Sequence, residues 1–191
     1  MDYSLPHFAH EGWRHYYEAA FYVSAFDRWL TDDEFNAEPV VYYDQALRDG
    51  HTEAYMRIEA RYLDLLEALI DGQVVLCQRV NHKHQVLTFH IKRFKGLGSQ
   101  LRRQLSWGLR ERPGRGDNDI YIPHLGLRIM FNHDMTHFLY FKDASILPVV
   151  KNLIKRAGFF TLEDDCDGMG NPSVADFWRR RFGTKLISRI T

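Results

Sequence analysis

The chain has 191 residues and a formal net charge of zero, 25 Lys and Arg against 25 Asp and Glu. Neutrality argues against a wholly basic nucleic-acid coat and a wholly acidic disordered tail, and 45% apolar residues with 14% aromatics suffice for a packed core. No apolar run approaches the roughly 18 residues that span a membrane, and Met1-Asp2-Tyr3-Ser4-Leu5-Pro6 lacks the basic and apolar regions of a secretory signal.

In chain order, Trp13, Tyr16, Tyr17, Ala20, Phe21 and Ser24 fall at helix spacing and predict a first helix with a large aromatic face. Thr31-Asp32-Asp33-Glu34 has the form of a capping box that starts a short helix. Pro39 is suited to open the next helix, which runs through Leu47 and stops at Gly50. Thr52 caps a longer one, in which Tyr55, Ile58, Tyr62, Leu65, Leu66 and Leu69 form one stripe and Gly72 is the stop. The period then changes from helix to strand. Val74–Val80 and Val86–Phe94 are β-rich runs around an Asn81-His82-Lys83-His84 turn. Lys95-Gly96-Leu97-Gly98-Ser99 leads into a helix from Gln100 to about Arg110, and Arg112–Asn118 is turn-rich. Ile120–Ile122, Leu127–Asn132 and Thr136–Phe141 are expected strands, with Asn132-His133-Asp134 as a turn. Ile146–Ala157 is an expected helix and Phe159–Leu162 a short strand. Glu163–Pro172 is a polar loop. Ser173 with Asp176 caps a last helix carrying Phe177 and Trp178, followed by a basic tail. The expected fold class is α+β: N-terminal helices followed by a mainly antiparallel sheet with packed helices. One compact domain over 1–191 is expected, with Gly72 the best point of subdivision into an acidic helical part, 1–71, and a basic β-rich part, 72–191.

The zero total is a cancellation. Residues 1–71 carry 15 acids and 5 bases, residues 72–118 carry 2 acids and 10 bases, and residues 119–191 carry 8 acids and 10 bases. Such asymmetry speaks to partners. Arg outnumbers Lys 18 to 7, which suits bidentate pairing with carboxylate or phosphate, inside the fold or outside it. The question set by the sequence is whether the acidic third docks on the basic middle or faces a partner.

Five candidate sites present themselves. The glycine turn before the Gln100 helix points backbone N–H groups at any anion there, and Lys92, Arg93, Lys95, Gly96, Gly98, Ser99, Arg102 and Arg103 would form an anion or nucleic-acid site. Arg102 and Arg103 are adjacent on a helix, so they cannot both converge, and the turn is neither a Walker A loop nor a dinucleotide fingerprint. His133, Asp134 and His137 put two imidazoles four apart, a zinc spacing on a helix but not in the β-turn expected here. Glu163-Asp164-Asp165-Cys166-Asp167-Gly168 begins like a calcium loop, but Val174 stands where the twelfth-position Glu is needed. Cys77 sits in an apolar strand and Cys166 among acids, so neither is a good nucleophile, and two cysteines so far apart imply no disulfide framework. A cytosolic, reducing setting is the default expectation. The tail Arg179, Arg180, Arg181, Lys185 and Arg189 would neutralise a nucleic acid or pair internally.

No catalytic constellation or cofactor motif emerges, whereas Tyr, Trp and Arg, the residues of interface hot spots, are plentiful. The leading expectation is a non-catalytic cytoplasmic binding protein that recognises another protein, a basic one such as a nuclease among the candidates, as an inhibitor or immunity-type protein does. Asp32, Asp33, Glu34, Asp44 and Asp49 would carry the contact. The acids of residues 27–71 should then form an exposed face not paired to Arg93–Arg115. The alternatives are a nucleic-acid module using residues 79–115 and a metal-dependent hydrolase on the histidine set.

Overall fold

The computed structural model describes residues 17–83, 86–110, 119–131 and 135–163 and the pair 185–186; of 79–83, 86–90 and 185–186 it describes the backbone alone. The chain order is β1 (Ala19–Ser24), α1 (Asp32–Ala37), α2 (Tyr43–Arg48), α3 (Thr52–Ile70), β2 (Val74–Lys83), β3 (Val86–Lys95), α4 (Ser99–Leu109), β4 (Asp119–Ile122), β5 (Leu127–Met130), β6 (Thr136–Phe141), α5 (Leu147–Arg156), β7 (Phe160–Leu162) and β8 (Lys185–Leu186). The fold is α+β. The strands form one sheet in the order β7-β1-β6-β5-β4-β2-β3-β8, antiparallel throughout except for the two-residue β8, which runs parallel to β3.

Local chemistry explains the helices. Thr31 and Glu34 cap α1 reciprocally, side chain to backbone N–H in both directions. The stripe of α3 buries Tyr55, Tyr62, Leu65, Leu66 and Leu69, each such leucine contributing roughly 1.5–3 kcal/mol by leaving water. The helix ends through Asp71 and Gly72, both at positive φ. The helices α3, α4 and α5 pack on one face of the sheet, against Phe21, Val23, Val75, Cys77, Ile120, Ile122 and Leu139.

The structure departs from the sequence reading at residues 19–24. Helix spacing was expected there, but Ala19–Ser24 is a strand, held between β6 and β7. Phe21 and Val23 face the helices, while Tyr22 joins Phe138, Tyr140 and Leu162 on the opposite face. A strand buried on both faces shows no polar alternation, so its period of two is invisible in the sequence. This strand from the acidic third and the long helix α3 share one hydrophobic cluster with β2, β4, β5 and β6. The turn expected at Asn81-His82-Lys83-His84 falls later: Asn81, His82 and Lys83 continue β2, paired with Thr88, Leu87 and Val86 of β3, because the ladder extends through the polar residues, and His84 lies outside the described residues. The expected features at Trp13, Tyr16, Arg112–Asn118, Asn132–Asp134 and from Asp164 onward also lie outside them, β8 excepted.

Two glycine positions have a structural cause. Gly96 takes φ +65°, donates its N–H to the Gln73 carbonyl at 2.9 Å, and lies where a Cβ would come within 3.4 Å of the Gly72 Cα. The glycine turn before α4 is thus set by backbone crossing backbone. At Gly126, φ +57°, a Cβ would meet the Lys142 Cβ at 3.0 Å. Gly126→Ala is expected to lower stability by about 1–2 kcal/mol through left-handed strain alone, read as a shifted urea midpoint at unchanged slope; an unchanged midpoint would refute it.

Candidate functional site

The acidic third divides into committed and uncommitted carboxylates. On α3, Glu59 is buried and accepts from Arg110 at 2.5 and 2.7 Å, bidentate, while Asp64 (3.7 Å) and Glu67 both meet Arg102. Those are the acids that face α4. Glu34 is tied to Arg28 by two bonds of 2.7 and 2.5 Å, and the Arg28 guanidinium, with the Thr31 cap, brings its carboxyl down to about 2. By contrast Asp27, Asp32, Asp33, Asp44, Asp49 and Glu53 are exposed and form no ion pair among the described residues. Of the twelve acids between 27 and 71, three pair with the Arg93–Arg110 stretch. Among the described residues, the ion pairs that join the opposing charge blocks lie along α3 and α4, with Arg110 at the end of α4.

The corner between α2 and α3 has a defined build. The Tyr43 and Tyr55 rings meet edge-on at 5.3 Å, and the Tyr55 hydroxyl donates to the Leu109 carbonyl at 2.6 Å. The Arg110 guanidinium, fixed by Glu59, lies 5.0 Å over Tyr43, and its Nη2 reaches the Met56 sulfur at 3.1 Å. The hydrogen bonds that Arg110 donates to Glu59 hold its guanidinium above its ordinary pKa. Beside this platform Leu47 is 55% and Met56 37% exposed. Asp44 precedes Leu47 by three residues and Glu53 precedes Met56 by three, so each acid lies on the same helix face as its apolar neighbour.

The proposed anion set diverges. In β3, Lys92 pairs across to Cys77 and faces the helices, whereas Arg93 and Lys95 pair to Leu76 and Val74 and face the other way. Gly98 caps α4 in extended conformation and Ser99 begins it. Arg102 is committed to Asp64 and Glu67, and Arg103 stacks over Trp107, one turn on, at 5.4 Å.

In the histidine set, His133 and Asp134 lie outside the described residues. His137 is buried in β6 on the helix-facing side, its ring 4.5 Å from Tyr62 and 5.1 Å from Phe131, and burial pushes its pKa down to about 3. A void of about 10 Å³ beside it, lined by Val23, Tyr62, Leu66, Ile129 and Phe131, is the size of one water. Among the described residues no three His, Cys, Asp or Glu side chains come together in a way that could hold a metal ion, and no helix is long and apolar enough to cross a membrane.

One polar feature was not expected. On the sheet face away from the helices, Arg128 of β5 is fully buried and grips the Asp119 carboxylate of β4 through Nε at 2.9 Å and through Nη2. Tyr17 and Tyr140 act electrostatically on the pair, while Tyr121 pairs across from Arg128 and Gln78 across from Asp119. Desolvation raises the Asp119 carboxyl against the pull of Arg128, and it also raises Tyr17. The Asp119 charge and its hydrogen bonds keep the desolvated guanidinium protonated. The signal in the sequence was slight: an Arg flanked by apolar residues in Leu-Arg-Ile-Met, and an Asp opening Asp-Ile-Tyr-Ile.

No protein-family model, curated protein or solved structure matches this chain. The fold class is α+β, with Asp27, Asp32, Asp33, Asp44, Asp49 and Glu53 exposed.

Proposed function

We propose that this chain is a non-catalytic binding protein that recognises a basic protein through the exposed acids of residues 27–53, as an inhibitor or immunity-type protein would. The observation that carries this reading is the uncommitted set Asp27, Asp32, Asp33, Asp44, Asp49 and Glu53, left exposed while the acids facing α4 are neutralised. Uncompensated surface charge steers association with an oppositely charged partner and makes its rate salt-dependent. The nucleic-acid alternative is weakened because Arg102 is paired and Lys92 faces away from Arg93 and Lys95.

The test is affinity capture from the native host, followed by kinetics on the purified partner. A stoichiometric partner of net positive charge is expected. Its association should slow at least about tenfold between low and physiological salt, and more when Asp32, Asp44, Asp49 and Glu53 are all changed to Lys. A partner whose binding ignores both salt and charge reversal would refute the reading. So would binding of DNA or RNA at low salt with no protein captured.

A further inference from the structure

We propose that the α2–α3 corner is the anchor of this interface: Leu47 and Met56 enter an apolar recess on the basic partner, ringed by its Lys and Arg side chains, which meet Asp44, Asp49 and Glu53. The inference rests on the reading that the chain binds a basic protein, and it names where and how.

Three observations place the anchor there. First, Leu47 on α2 and Met56 on α3 are large apolar side chains left exposed on the two helices whose Tyr43 and Tyr55 rings meet, and Arg110, held by Glu59, reaches both Tyr43 and Met56. A rigid aromatic, Met and Arg platform is the composition of interface cores, and rigidity lowers the entropy lost on binding. Second, the acids next to this apolar pair are uncommitted, while Glu59, Asp64 and Glu67 on the α4 side are neutralised. An apolar centre with a charged rim follows. Third, the remaining exposed large apolar side chain among the described residues of the acidic segment, Trp29, is already packed edge-on against Tyr22 at 4.6 Å. A second copy of this chain would bring the same acids to the same corner, so like charge opposes self-association there.

A photoreactive benzoyl-phenylalanine placed singly at Leu47, Met56, Trp29 or Val149 of the full chain, irradiated in native-host cells, tests this. Val149, 62% exposed on α5, is the control position. The expected result is an adduct from positions 47 and 56 to the same protein of net positive charge, and none from 149. Charge reversal at Asp44 and Glu53 should abolish both adducts while the chain stays folded at the temperature of irradiation, read by circular dichroism, although each reversed charge in a first helical turn lowers stability slightly. That protein, purified, should bind Leu47→Ala and Met56→Ala at least about tenfold more weakly. Adducts from position 29 alone would overturn the anchor and leave protein recognition standing. Adducts only to another copy of this chain, or adducts that survive charge reversal, would overturn the basic rimmed partner. No adduct from any position would overturn both the anchor and the reading beneath it.

Discussion

Replacing Arg128 by Met is expected to lower the unfolding free energy by about 3–5 kcal/mol. The variant leaves the Asp119 carboxylate desolvated beside Gln78 and Met130, its neighbours across the strands, and a buried charge that has lost its partner costs far more than an exposed one. Asp119→Leu alone strands the guanidinium in the same way. The double variant Arg128→Met/Asp119→Leu should recover most of the loss, because an apolar pair of similar volume carries no desolvation penalty. Its neighbours already suit such a replacement: Tyr22, Phe138, Tyr140 and Leu162 form an apolar cluster on one side, and Leu76 and Tyr121 form another on the other side. The measurement is urea unfolding of the wild type, both single variants and the double variant, with the slope monitored to confirm one cooperative transition. Single variants within about 1 kcal/mol of wild type would show that the pair is hydrated in solution. A double variant as unstable as the singles would show that the pair's other hydrogen bonds, Tyr17's among them, carry the energy.

The same face explains what the sequence could and could not disclose. The helices were legible because each has one wet side. Thr31 to Glu34 announces α1, the Tyr55–Leu69 stripe announces α3, and Gly72 and Gly158 end their helices at positive φ. Strands β2 to β7 were legible from β-rich runs punctuated by turns. β1 was not, since Ala-Ala-Phe-Tyr-Val-Ser offers no alternation when both faces are covered. Arg128 and Asp119 were hidden for a related reason: they lie nine residues apart in sequence, and only the β4–β5 register, which sets Asp119 against Met130 and Tyr121 against Arg128, brings their side chains together. Charge by block posed the right question but left it open. Pairing is decided residue by residue, so Glu59, Asp64 and Glu67 turn toward α4 while Asp44, Asp49 and Glu53 do not.

Acidification should destabilise the fold through His137 well above the pH at which carboxylates titrate. The imidazole is fully buried and its pKa is near 3, against about 6.5 when the chain is unfolded. Between those values the unfolded chain binds a proton that the folded chain does not, so stability rises with pH across that window and is lost as pH falls through it. The sign is that of a base held neutral: the contribution is complete above about pH 6.5 and shrinks by about 1.4 kcal/mol per pH unit below it. From pH 7 to pH 5 the expected loss from this group is about 2 kcal/mol. The cause is structural. His137 sits on the helix-facing side of β6 between Tyr62 and Phe131, where an imidazolium would lose its water and face aromatic rings. His137→Phe removes the titration while keeping an aromatic ring of similar size, so its urea midpoint should vary less between pH 7 and pH 5 than that of the wild type. An NMR titration should find the His137 ring neutral down to pH 4 in the folded chain. A folded-state pKa near 6.5, or an equal pH dependence in His137→Phe, would show that water reaches the imidazole and that burial is not what holds it neutral.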